Sequence, residues 1–174
     1  GYHIEELLEH QSFLLPDMHG SEKEKKLAKP DLTQISPNYI GQLDTLEIDE
    51  CTFLDVLQIA QDVYSPLKGF MGQDDLEEVL NNYRLADGQI WTLPILLQID
   101  EDMWNSLNEG MTLALKYKNN LESQMTLKIN ELYKIDLESV SQRWFGTADL
   151  DRPGVARLME LGPYVVSGEI NHYN

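Results

Sequence analysis

Thr112–Ile129 reads TLALKYKNNLESQMTLKI, and the alternation in this stretch decides the fold class. Leu113, Leu115 and Tyr117 alternate with Thr112, Ala114 and Lys116, the period-two pattern of a strand with one buried face. Met125, Leu127 and Ile129 repeat the alternation on the way back. Asn119-Asn120 supplies the residues that begin a tight turn between the two runs. The stretch therefore predicts an antiparallel hairpin.

Working outward, the flanking segments are helical. On the N-terminal side, Phe53, Val56, Leu57, Ala60 and Tyr64 recur on one helical face, and Thr52 followed by Asp55 resembles a capping box. Tyr64-Ser65-Pro66-Leu67-Lys68-Gly69-Phe70 breaks that helix. A second helix is expected from Gln73, with Asp74 and Asp75 suited to its positive end and Leu76, Val79, Leu80 and Tyr83 as its apolar stripe. Arg84 to Gly88 reads as a turn. Ile90 to Ile99 reads as a strand, with Pro94 marking an edge or bulge. Asp100 caps a short helix carrying Met103, Trp104 and Leu107, ending near Gly110.

On the C-terminal side, Asp136 to Phe145 reads as a helix, and Pro153 opens another at a position where its missing N–H costs nothing. Val155, Leu158 and Met159 form that helix's inward face. Tyr164-Val165-Val166 closes the chain as a strand. Far upstream, His3 to Leu15 has a helical pattern ended by Pro16-Asp17, followed by a polar stretch and a turn-rich segment around Ser36-Pro37-Asn38. The predicted architecture is α+β: short helices around a small, mostly antiparallel sheet or barrel. Residues 1–34 form an extension of helix and polar loop, and residues 35–174 form the domain.

Bulk properties narrow the function classes. The 174 residues carry 13 Lys+Arg against 30 Asp+Glu, a net charge of −17. Such a surface repels nucleic-acid phosphates and anionic membranes. Lys23 to Lys29 is the one concentrated basic stretch, and it reads as a solvated loop because no aromatic residues interleave it. The apolar run Ile90–Ile99 is too short and too interrupted to span a bilayer. The first residues do not read as a basic-then-apolar leader, and the single Cys51 can form no internal disulfide, which points to a reducing cytoplasm. Gly1 in place of Met is what a piece of a longer polypeptide, or a tag remnant, shows.

Few residues have the arrangement that chemistry needs. His3, His10, His19 and His172 lack metal-ligand spacing. Cys51 has no local motif and reads as a small buried apolar side chain. The acidic pairs Glu5-Glu6, Asp74-Asp75, Glu77-Glu78 and Asp100-Asp102 read as solvated faces or caps rather than as acid–base pairs. The segments holding Arg84, Asp87 and Arg152 read first as structural, as turns, a strand entry and a helix start. A role facing a ligand or a neighbouring domain is the lesser alternative, and these three charged residues are the ones best placed for it.

Four segments carry a resemblance when taken in order. Val63 to Met71, Arg84 to Pro94, Phe145 to Val155 and Tyr164 to Gly168 resemble the N-terminal domain of ATP sulfurylase (sulfate adenylyltransferase). That family carries Gly-Phe-Ser-Pro-Leu-x-Gly-Phe-Met, Arg-Leu-Ala-Asp-Gly-x-x-Trp-x-x-Pro, Phe-Gly-Thr-x-Asp-x-x-His-Pro-Gly-Val and Tyr-x-Val-Gly-Gly. The resemblance spans roughly Ser36 to Gly168. Here Val63 and Tyr64 stand for the first Gly-Phe, Arg152 for the histidine, and Ser167-Gly168 for the closing Gly-Gly, which marks a divergent member.

The resemblance implies a PUA-like β-barrel decorated with short helices, and it places catalysis in a following nucleotidyltransferase domain. That domain's Gln-x-Arg-Asn-Pro-x-His-x-x-His motif does not occur between Gly1 and Asn174. The resemblance therefore assigns this chain no catalytic, cofactor-binding or metal-binding residue. The parent would use ATP as substrate in sulfate assimilation. The expected partners are the downstream catalytic domain and identical subunits, with no nucleic acid and no membrane. The substitutions at Val63, Arg152 and Ser167 also allow a stand-alone or fused PUA-like binding module without sulfurylase activity.

Overall fold

The computed structural model of the chain describes residues 41–118 and 120–173. The expected helix over His3–Leu15, the basic stretch Lys23–Lys29, the turn at Ser36–Asn38 and the boundary between residues 34 and 35 lie outside the described residues. Within them the chain is α+β, with six strands and five helices.

The hairpin at the centre forms as its alternation predicts. Strand β4 (Thr112–Tyr117) runs antiparallel to β5 (Asn120–Lys134), pairing Leu113 with Leu127 and Leu115 with Met125. All four side chains are buried. The turn comes one residue earlier than expected: Lys118 takes the left-handed conformation and Asn120 already pairs with Tyr117. Asn119 is outside the described residues.

β5 continues well past Ile129 because a second partner holds it. The last strand, β6 (Tyr164–Tyr173), lies antiparallel to it from Lys134↔Tyr164 to Gln124↔Tyr173. Two short strands, β2 (Gly69–Phe70) and β3 (Leu97–Ile99), pair antiparallel with β6. At the opposite edge, β1 (Thr45–Glu47) pairs with β4 and is parallel to it. The ladder path is β1-β4-β5-β6-β2, with β3 also on β6. Among the described residues no ladder joins β1 to β2 or β3, so the sheet is open where the resemblance implies a closed barrel. Closure would require pairing between edge strands of only three and two residues.

The single strand expected over Ile90–Ile99 is a correction. Only Leu97–Ile99 enters the sheet, while Ile90 makes an isolated bridge to Arg84. Pro94 has no N–H to donate and its fixed φ turns the chain before the ladder begins.

The helices follow their caps. Helix α1 (Glu50–Ala60) starts at Asp49, whose carboxylate accepts the Thr52 N–H at 2.9 Å. Thr52 is thus inside the helix and buried, not its cap, and Asp55 instead accepts the Tyr64 hydroxyl at 3.3 Å. Helix α2 (Gln73–Asn82) buries Leu76, Val79 and Leu80 as expected. Tyr83 leaves the stripe: it terminates the helix in the left-handed conformation and is exposed. Asp100 caps α3 (Glu101–Ser106) and Asp136 caps α4 (Leu137–Phe145) by the same three-residue bond. Pro153 opens α5 (Pro153–Leu161). The Gln98 side chain reaches the far end of α5, donating to the Leu158 and Gly162 carbonyls.

Two hydrophobic clusters share the sheet. One contains Val56 and Ile59 of α1 with Leu113, Leu127 and Val166. The other gathers Leu76, Leu80, Tyr133, Val140, Leu158 and Val165 from α2, α4, α5 and the strands. Val165 and Val166 point to opposite faces and are both fully buried. That explains the unbroken apolar run at Tyr164-Val165-Val166, since a strand covered on both faces has no solvent side.

Candidate functional site

Three of the four segments singled out in the sequence meet at one place. The loop and strand Pro66–Gly72, the turn Leu85–Asp87 and the β6 segment Ser167–Glu169 line a cleft of about 390 Å³. Close backbone approach builds its floor. A side chain at Gly69 would overlap the Gly168 carbonyl, and one at Gly168 would overlap the Lys128 carbonyl. Glycine is needed at both positions because β2, β6 and β5 pack there without room for a Cβ. Next to them, Phe70 and Met71 are buried and the Met71 carbonyl accepts the Tyr133 hydroxyl at 2.7 Å. Burial holds the Tyr133 phenol strongly protonated, its pKa pushed far above the usual tyrosine range.

The turn at the cleft's rim is tied to itself and to α2. The Arg84 guanidinium donates to the Gly88 carbonyl at 3.0 Å, bracing the turn in which Gly88 is left-handed. The Asp75 carboxylate accepts the Ala86 N–H at 2.8 Å. Asp87 accepts the Gln89 backbone N–H at 3.0 Å and its side-chain amide at 2.6 Å. Those N–H donors hold the Asp87 carboxyl below the usual range. The start of α2 is also filled from within the chain, because Glu131 of β5 accepts the Gln73 N–H at 2.7 Å.

The charge of the cleft follows from these residues. Asp75, Asp87 and Glu169 line it, and Lys68 is the cation among the lining residues. Lys68 is engaged by Asp62 at 2.9 Å. An anionic group entering here meets three carboxylates against one lysine already paired with Asp62, so the local field disfavours phosphate or sulfate.

The remaining candidates lie elsewhere. Arg152 is exposed at the start of α5 and does not line the cleft. Its segment is held by local bonds: Ser141 donates to the Thr147 carbonyl, and Asp149 and Asp151 N–H groups donate to Thr147 and Asp149 side chains. Gly154 sits so near Phe145 that a Cβ would lie 2.7 Å from the ring. Glu77 accepts two bonds from Arg143 at 2.6 and 3.2 Å, which lower its pKa, and Glu78 accepts from Asn82. Asp100 is occupied as a cap, while Glu5-Glu6, His3, His10 and His19 lie outside the described residues. His172 is half-buried on β6, and burial lowers its pKa. Among the described residues no group of three His, Cys, Asp or Glu converges as a metal site would require.

Cys51 is a correction: it is exposed. It follows Glu50 in the first turn of α1, one position from buried Thr52, and a step of about 100° per residue turns it off the packed face.

Asn130 and Glu169 line this cleft, Glu131 holds the start of α2 beside it, and none of the three carried a motif. Their signal is a change of phase. The core positions Met125, Leu127 and Ile129 are two apart, but Leu132 comes three after Ile129, and the register shifts between Ile129 and Glu131. That bulge re-aims β5 toward the start of α2.

Comparison with known proteins gives the family. A PUA-like domain model matches residues 16–174. The chain belongs to the PUA-like domain family. The PUA-like domain is 34% identical over 156 residues to a sulfate adenylyltransferase of Thermococcus onnurineus, and 32% identical to that of Pyrococcus abyssi. Each match covers 90% of this chain and 40% of the relative. A sulfate adenylyltransferase of Entamoeba histolytica is 33% identical over 74% of the chain and 31% of its own length. The PUA-like domain thus spans about two fifths or less of these relatives. Among solved structures, a hexameric APS kinase from Thiobacillus denitrificans superposes with a TM-score of 0.59 at 19% identity, covering 83% of this chain and 24% of that one. That likeness concerns the fold.

Proposed function

We propose that this PUA-like domain is the non-catalytic, N-terminal part of a sulfate adenylyltransferase-type protein, which joins ATP and sulfate into adenylyl sulfate and releases pyrophosphate. The observation that carries this reading is the extent of the match: 90% of the chain aligns to 40% of a sulfate adenylyltransferase. The cleft supports it. ATP and sulfate are anions, and the segments resembling the family surround a cavity lined by Asp75, Asp87 and Glu169. The domain's role is then to support the catalytic remainder of the polypeptide and to contribute to contacts between identical subunits. ATP serves as a substrate of that remainder, in sulfate assimilation in the cytoplasm, with no nucleic-acid or membrane partner for this domain. The register shifts in β4 and β5 curve the sheet, which supports reading it as an opened PUA-like barrel.

Pyrophosphate release from ATP and sulfate tests the assignment. The protein encoded by the whole gene turns over, and the purified 174-residue chain does not. Turnover by the chain alone overturns the non-catalytic role. A gene with no nucleotidyltransferase segment beyond Asn174 overturns the parent activity. Calorimetric titration of the chain with ATP, sulfate and adenylyl sulfate gives no binding heat on this reading; micromolar binding would favour an independent binding module.

A further inference from the structure

The hairpin between α2 and β3 holds apolar side chains in water on a rigid frame. Ile90, Leu93 and Tyr83 are 72%, 44% and 60% exposed, and Val63, on the turn before β2, is 60% exposed. The two segments touch through the edge-to-face contact of Tyr64 with Trp91, whose ring centroids lie 6.0 Å apart. Isolated exposed apolar residues need no explanation, but a cluster on one projection marks an interaction surface. Looseness does not account for this exposure. Leu85 anchors the hairpin in the core, the Trp91 N–H donates to the Tyr83 carbonyl at 2.9 Å, and the Trp91 indole donates to the Leu93 carbonyl at 2.6 Å. A surface already held in shape loses little freedom on binding.

Charge selects the occupant. Asp75 lies against this hairpin, Asp87 lies on it with Arg84 turned onto the hairpin's own Gly88 carbonyl, Asp62 precedes Val63, and the chain carries a net charge of −17. A second copy would bring the same sign of charge to the contact. We infer that the Tyr83–Pro94 hairpin is a docking surface for the rest of the longer polypeptide, which meets it with an apolar face rimmed by Lys or Arg. The inference rests on the function proposed above, under which more than half of the protein lies outside this chain.

Hydroxyl-radical footprinting tests it on the full-length protein and on the 174-residue chain. In the full-length protein, oxidation of Tyr83, Ile90 and Leu93 falls several-fold, while that of Leu54 on α1 is unchanged. Ile90→Asp with Leu93→Asp restores the labelling of Tyr83 in the full-length protein and leaves the melting temperature of the chain alone unchanged. Unchanged labelling in a full-length protein that does carry further domains overturns the docking surface and leaves the proposed function standing. A gene that ends with this domain overturns both. A dimer of the chain alone that Ile90→Asp dissolves overturns the choice of occupant.

Discussion

Arg157 on α5 holds Asp49, the cap of α1, through two guanidinium N–H donors at 2.6 and 3.2 Å. A residue of the last helix thereby anchors the start of the first described one. The Arg157 bonds are the main reason the Asp49 pKa falls from 3.8 to about 2. A depressed carboxylate pKa stabilises the fold above its unfolded value, and that stability disappears as pH falls through the folded one. Both side chains are more than a third exposed, so solvent screening limits the pair to about 1 kcal/mol. Urea titration of Arg157→Ala therefore shows a loss of about 1 kcal/mol at pH 7. The gap to the parent closes between pH 3.8 and about 2. A gap that persists unchanged at the acid end contradicts the ion-pair account.

Tyr133→Phe removes the buried donor to the Met71 carbonyl and leaves that oxygen unsatisfied, at a cost of about 1–3 kcal/mol. Burial raises the Tyr133 pKa above the usual tyrosine value of 10.0. For a phenol this means that its contribution is full below the unfolded pKa and is lost as pH rises beyond it. Chemical denaturation at pH 8 and in stronger alkali is expected to show a shallower alkaline decline in the variant. Identical declines would remove Tyr133 as a source.

Gly168→Ala forces a Cβ into the Lys128 carbonyl in the middle of the sheet. Backbone cannot give way as a flexible side chain does, so the loss exceeds about 3 kcal/mol. Gly110, in an open turn with φ of 87°, has nothing within 4 Å of an added Cβ. Its alanine variant costs only about 1 kcal/mol. Thermal melting of the two variants side by side checks the ranking, and similar melting temperatures would contradict the close packing of β5, β6 and β2.

Thr126 is fully buried on β5, and among the described residues its hydroxyl has no hydrogen-bond partner. Its cross-strand neighbour Asn171 has an unpaired side-chain oxygen as well. Thr126→Val keeps the branched shape and removes the orphaned hydroxyl, so stability rises by about 1 kcal/mol. Lower stability in a urea titration would mean that the hydroxyl is satisfied by an ordered water.

Much of this was legible from local chemistry. The Asp100 and Asp136 caps, the β4–β5 hairpin, the Asp-Gly turn and the Pro153 helix start each depend on residues within a few positions of one another. The site was legible as three segments but not as one place. Nothing in Gly69, Asp87 or Gly168 taken singly says that they share a cleft. β1 was missed because three residues reading Thr-Leu-Glu carry too little alternation to stand out, and it exists through its parallel pairing to β4.

The sequence by itself determined the α+β class, the five described helices and the acidic charge. It also pointed to the hairpin that organises the sheet. Tertiary structure alone decided that Glu131 caps a helix 58 residues before it, that Gly69 and Gly168 meet, and that Cys51 faces solvent. It also set Val165 and Val166 into different cores. The division has a physical cause. A cap or a turn is satisfied within one or two turns of chain, so its partners are adjacent in sequence. A bulge at Asn130 rotates everything beyond it, and which surfaces then meet depends on how the whole sheet packs.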